Sequence, residues 1–305
     1  MMAFSKEKMP VLKASLALLI VMAHFTFFIE SRYFVPFREI GPSVVALFFF
    51  ISGYGLSLSY DKKGRAYLDH FLSRRLLQIL IPAGVALLLH YLLNGSPSGS
   101  WLTDASKVFR EGVFPLPQLW FVGAITYYYL LYYFAYKYLP NPLKRIGLWV
   151  GTLVFLVLTC AAGYDRCWWI CALAFPTGAS FFARENQLFT FCKKSLLHLI
   201  ACLALLAVLT LCCFLTGNPY IWTLCYVFIP VFAALLIAIL PIDRIQGAVV
   251  RWLGSIYYEI YLCHGIAMAF LRGERFYIQS DGLFVLLVFA LTLIMASLLH
   301  LLCKR

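Results

Sequence analysis

Two histidines in this sequence lie where an ionisable side chain is hard to keep. His24 falls in the apolar stretch Leu16–Phe28, and His264 ends the run Trp252-Leu253-Gly254-Ser255-Ile256-Tyr257-Tyr258-Glu259-Ile260-Tyr261-Leu262-Cys263-His264. Ionisable groups inside apolar spans are expensive, so each is a functional candidate. An imidazole there can take a proton from a hydroxyl, the work of a general base. Lys13 precedes His24 by eleven residues. On an α-helix that is about 1100°, roughly 20° beyond three full turns, so the two share a face about 16 Å apart along the axis. A snorkelling lysine, with a histidine hydrogen-bonded to a neighbouring helix, accounts for the same pair structurally.

In the second run, Tyr257, Tyr261 and His264 follow an i, i+4, i+7 spacing and so share a helical face. Counted from the cytoplasmic end, His264 lies about 18 Å in, near the depth of His24. Matching depths point to a common cavity. A b-type haem could use two such histidines, but the paired-histidine helices it needs are not evident. Glu259 is shallower and on another face, placed either to pair with a buried Arg or Lys or to serve the chemistry. A third candidate is Phe71-Leu72-Ser73-Arg74-Arg75-Leu76, because guanidinium forks match phosphate oxygens. Arginines at a helix end serve equally well as topology signals and lipid anchors. Ser52, in Leu47-Phe48-Phe49-Phe50-Ile51-Ser52-Gly53-Tyr54, and Trp120, in Leu119-Trp120-Phe121, place a polar and a bulky group within spans. A Ser-Gly pair also commonly lets helices pack closely. His90 lies at a similar depth on the third span without a supporting motif, while His198 and His300 read as ordinary interfacial residues.

What must hold these residues is a bundle of membrane helices. Of the 305 residues, 63% are hydrophobic and only 12% charged, about half the ~25% of an ordinary soluble domain. A water-soluble globule of this size could not hide that much apolar surface. Ten runs are long enough to span a bilayer, at approximately 11–29, 40–60, 76–93, 118–138, 146–164, 167–183, 195–216, 221–240, 252–271 and 282–302. Ten crossings put both termini on one side. Eighteen Lys and Arg fall on that side against seven on the other, which makes it cytoplasmic. The same rule explains the net charge of +12, so the bilayer and not nucleic acid is the expected partner. The ten cysteines are scattered without paired CxxC motifs, and no metal site is expected. The first apolar stretch, Val11 to Ile29, has no small-residue cleavage site after it and is expected to stay as a span. The longest polar stretch, Asn94 to Pro117, reads as a loop with an Asn94-Gly95-Ser96 sequon on the outer side. No soluble domain lies between the spans, so the expectation is one ten-helix domain over 1–305, with no internal repeat.

Taken in order, these motifs resemble a family. A basic residue and His24 on span one, FFFISGY on span two, FLSRRLLQILIP entering span three, LWF opening span four and LGSIYYEIYLCH on span nine are similar to the membrane-bound acyltransferase-3 family. That family includes bacterial O-antigen and exopolysaccharide O-acetyltransferases. The resemblance covers about residues 10–300. It implies ten helices in a bacterial cytoplasmic membrane, acyl-CoA, in the first instance acetyl-CoA, as a cytoplasmic co-substrate, and no covalently bound cofactor. The acceptor would be a hydroxyl of a cell-surface glycan or its lipid-linked precursor. His24 matches the family histidine and would be the general base. Lys13 stands where the family carries arginine, which keeps the charge and removes the bidentate fork. By the same resemblance Lys13, Arg74 and Arg75 would bind the donor, and His264, Tyr261 and Trp120 would shape the cavity or polarise the carbonyl. Ser52, Tyr257 and Glu259 would support them. The residues alone also admit a transporter or exporter of a glycan or lipid, with the histidines coupling protons, or an inactive relative assisting polysaccharide assembly.

Overall fold

The computed structural model describes residues 4–192, 195–245, 247–274 and 276–303. Lys193, Lys194, Arg275, Lys304 and Arg305, five of the charges counted above, lie outside the described residues. The helices are α1 (Met9–His24), α2 (Val35–Lys63), α3 (Phe71–Asn94), α4 (Trp101–Glu111), α5 (Leu119–Tyr138), α6 (Asn141–Ala161) and α7 (Cys167–Ile170). They continue with α8 (Ala174–Phe182), α9 (Glu185–Cys192), α10 (Leu196–Thr216), α11 (Pro219–Ile239), α12 (Ala248–Ser255), α13 (Tyr257–Leu271) and α14 (Asp281–Cys303). Among the described residues the only strand-like pairing is a single bridge, Arg272 to Tyr277. This is an all-α integral membrane protein.

Among the described residues seven helices are long and apolar enough to cross a bilayer: α1 with the turn after it, α2, α3, α6, α10, α11 and α14. The other three expected runs differ for local reasons. α5 is continuous over 20 residues, but its Tyr127-Tyr128-Tyr129 and Tyr132-Tyr133 lower its hydropathy. The run at 167–183 is two short helices, α7 and α8. Pro176 sits in the first turn of α8, where a missing N–H is tolerated and from which no helix can extend backward undisturbed. The run at 252–271 breaks at Ile256 into α12 and α13, where the Ser255 hydroxyl donates back to the Trp252 carbonyl at 2.7 Å.

The stretch Asn94 to Pro117 corrects the loop expectation, because α4 forms within it. Gly112 closes α4 at φ 68°, a left-handed position that suits a residue without Cβ. Asp104, in the first turn of α4, is buried and accepts from Ser96 (2.6 Å), Ser98 (2.7 Å) and Tyr91 (3.1 Å). Burial works to raise its carboxyl, and those hydrogen bonds together outweigh it, holding the group below the usual carboxylate range. Both polar residues of the sequon are engaged internally, Asn94 with His90 and Ser96 with Asp104.

The chain divides into two compact units. One comprises the residues up to Met9, Pro42–Ser73 and Tyr127–Ile245; the other comprises Pro10–Gly41, Arg74–Thr126 and everything after Ile245. In the first, α2 and α8 approach backbone to backbone. A Cβ on Gly53 would overlap the Phe175 carbonyl, and one on Gly178 would overlap the Phe50 carbonyl. That seam explains the Gly53 of the ISGY motif, as small residues let membrane helices close up. Tyr54 beside it donates to the buried Glu185 at 2.7 Å. Ser52 lies on α2 in the same unit. Lys8, counted above among the charges on the terminal side, is buried and donates to the Ile237, Ala238 and Leu240 carbonyls at the end of α11 at 2.7–2.9 Å. These are carbonyls that a helix terminus leaves without internal partners.

Candidate active site

All the remaining candidate residues lie in the second unit, on α1, α3, α5 and α13. α12, which leads into α13, comes close to the start of α1 at a small residue. A Cβ on Gly254, at the end of α12, would stand 2.5 Å from the Pro10 carbonyl oxygen at the start of α1. The glycine of LGSIYYEIYLCH therefore serves helix approach.

His24 and His264 meet. Their ring centroids are 4.8 Å apart. His24 is the last residue of α1, and its Nδ1 lies 2.7 Å from the Ile20 carbonyl one turn back. A carbonyl can only accept, so Nδ1 carries the proton and Nε2 of the neutral ring keeps its lone pair. His264 repeats the arrangement with the Ile260 carbonyl at 3.3 Å. It is fully buried, and its Nε2 has no partner among the described residues. The two rings in contact thus each keep Nε2 as an acceptor, buried His264 against partly exposed His24. That is the protonation state a general base needs.

Lys13 faces the same helix. Its Nζ stands 4.5 Å from the centroid of the Tyr257 ring, so an ammonium lies over an aromatic face. Arg75 and Glu259 are both within electrostatic range of it. Two residues eleven apart on α1 thus contact two residues seven apart on α13, the common face that helical periodicity predicts. Arg75 is half-buried and Arg74 exposed, so the paired arginines point differently.

Glu259 corrects one expectation and completes another. Its hydrogen-bonded partner is His300 on α14, at 2.8 Å. It is neither an Arg nor a Lys, although Lys13 is close enough to feel its charge. His300, read from sequence as interfacial, is therefore part of the site's support. Tyr258 next to it donates to the Ile79 carbonyl of α3 at 2.9 Å. Tyr261 donates to the Gln118 carbonyl and meets the His264 ring at 5.9 Å between centroids. In the LWF motif the Phe121 ring reaches Tyr261 at 5.4 Å, and Trp120 packs edge-on against Phe121 at 6.1 Å.

A family model described as an acyltransferase domain, that of acyltransferase-3, matches residues 8–301. The chain belongs to the acyltransferase-3 family. No match was found among curated proteins or solved structures. The matched span contains every residue of the site, and the chain is an integral membrane acyltransferase.

In this acyltransferase the sequence reading missed Gln118 and Arg272. Gln118 is buried; its Nε2 donates to the Leu262 carbonyl at 3.0 Å, and its amide fills the space a Cβ on Gly265 would need. Together with the Tyr261 bond this clamps the start of α5 onto the turn of α13 that carries His264. The available signal was a glutamine directly before an apolar helix. Arg272, counted only as an outer charge, donates to the Phe28 carbonyl at 2.5 Å and pairs with Asp281 at 2.5 Å. It ties the chain just after His24 to the turn between α13 and α14. Nothing in its local sequence marks that role.

Proposed function

We propose that this acyltransferase moves an acyl group, acetyl in the first instance, from acyl-CoA to a hydroxyl of a cell-surface glycan or its lipid-linked precursor. The observation that carries the reading is His24, with Nδ1 held by the Ile20 carbonyl and Nε2 left as an acceptor beside buried His264. The acceptor hydroxyl gives its proton to His24 Nε2 as its oxygen attacks the thioester carbonyl carbon. The C–S bond then breaks, and the CoA sulfur leaves as thiolate and takes up the proton. The donor's phosphates would lie near Lys13, Arg74 and Arg75, with the Tyr257 ring under the Lys13 ammonium and the Glu259 charge within range of it. His264, Tyr261 and Trp120 would shape the cavity around the carbonyl. The apolar surroundings would limit wasteful hydrolysis of the thioester. No covalently bound cofactor or metal is required.

The same reading makes the chain one membrane acyltransferase domain of ten crossings in a bacterial cytoplasmic membrane, both termini inside and the donor site on the inner side. The test compares O-acyl content of the surface glycan in cells with and without the gene, alongside consumption of labelled acetyl-CoA by membranes. Loss of O-acyl groups together with loss of acetyl-CoA turnover is the expected result. Glycan movement without acetyl-CoA consumption would replace it with a transport role.

A further inference from the structure

His90 takes no part in the reading above, yet its surroundings are specific. It lies on α3 and is only 5% exposed. Its Nδ1 faces the Asn94 side-chain nitrogen at 3.3 Å, and the same nitrogen reaches the Ile266 carbonyl on α13 at 3.5 Å. A carbonyl accepts only, so the Asn94 atom between them is its NH2 group, donating to both. Nδ1 of His90 is therefore an acceptor, and the neutral ring carries its proton on Nε2. This is the reverse of His24 and His264, whose Nδ1 atoms donate to carbonyls. Among the described residues nothing accepts from His90 Nε2. Asp104 is close enough to be felt by the ring, but its oxygens accept from Ser96, Ser98 and Tyr91. A buried donor left unpaired is costly and points to a partner outside the protein.

The position of the donor matters as much as its state. α3 and α13 run the same way, since Tyr258 reaches Ile79 and, further along both helices, Asn94 reaches Ile266. His90 lies one turn before Asn94, about 6 Å deeper. One turn before Ile266 is Leu262, between Tyr261 and His264. The His90 N–H is thus at the level of the α13 turn that carries His264.

We propose that His90 binds the acceptor substrate, its Nε2–H donating a hydrogen bond to a neutral oxygen, a hydroxyl or ring oxygen, of the glycan. The proposal rests on the acyl-transfer reading. An uncharged N–H donor in a buried setting suits an uncharged, oxygen-rich ligand and not a phosphate. One histidine then takes the proton and another, of opposite tautomer, holds the sugar.

The test uses the full chain in lipid nanodiscs, with 15N-labelled histidine and peaks assigned from single His variants. The expected spectrum has His90 protonated on Nε2 and His24 and His264 protonated on Nδ1. A second arm measures acetyl transfer to de-O-acetylated surface polysaccharide from cells that carry the gene. His90→Phe keeps an aromatic ring and removes the Nε2 donor together with the Nδ1 acceptor of the Asn94 bond, and should raise KM for the polysaccharide about tenfold, the scale of one hydrogen bond. Its kcat and its acetyl-CoA affinity should stay near wild type, and His90→Gln, which restores an N–H, should recover KM. A His90 protonated on Nδ1, an unchanged KM in folded His90→Phe, or a loss confined to kcat overturns the proposal. Wild-type protein that neither binds acetyl-CoA nor acetylates the polysaccharide overturns the acyl-transfer reading itself, and the tautomer spectrum still reports on His90 independently.

Discussion

The His24 and His264 rings, 4.8 Å apart between centroids, are each anchored through Nδ1 to the carbonyl four residues earlier in their own helix. The two anchors fix both tautomers without any charged partner. With His24 as base, His24→Ala should lower transfer by on the order of 10²–10⁴ while acetyl-CoA binding persists. Transfer assays on purified protein, normalised to folded material, check this. Equal activity per folded molecule would reduce the pair to packing.

Lys13 should behave differently, since it lies about 16 Å from His24 along α1 and cannot touch the reacting hydroxyl. Lys13→Ala should act on donor affinity, whereas Lys13→Arg should retain or improve it. Tyr257→Leu removes the ring under the ammonium, worth about 0.5–2 kcal/mol, or roughly 2- to 30-fold in acetyl-CoA affinity. Titration calorimetry with acetyl-CoA separates the three variants.

Replacing Arg74 and Arg75 together with alanine should weaken acetyl-CoA binding. The residual attraction in the wild type should fall as salt is raised, because phosphate contacts at an exposed arginine are screened. Unchanged affinity in a correctly inserted double variant would make both arginines lipid anchors.

The seam between α2 and α8 should be intolerant of a single methyl. Gly53→Ala and Gly178→Ala each drive a Cβ into a backbone carbonyl, an overpacking that typically costs 1–3 kcal/mol. Gly55→Ala is the control, since a Cβ there meets nothing within 4 Å. Thermal unfolding in detergent should show two lowered midpoints and one near wild type.

Asp104 should make the outer segment sensitive to acid. Its folded carboxyl is held below the ordinary value, so its stabilisation is present above the unfolded value of about 3.9 and is lost as pH falls through the folded one. Hydrogen exchange across residues 96–111 should rise below about pH 4 in the wild type. Asp104→Asn should lack that acid step, and an identical step in the variant would assign it to another group.

The sequence by itself determined whatever depends on composition and on one helix at a time. The apolar content demanded a membrane protein, and a spacing of eleven residues put Lys13 and His24 on one face of α1, because helical periodicity is a local property. Motif order was enough to reach the family. Tertiary structure alone decided the partners. Glu259 meets His300, forty-one residues away on another helix, Gln118 clamps the turn before His264, and Lys8 caps the end of α11. It also decided that the segment read as a loop builds α4 around Asp104, and that the spans at 167–183 and 252–271 break. Such choices follow from which backbone carbonyls and donors packing leaves unpaired, and in a low-dielectric interior each must find a partner that periodicity cannot name.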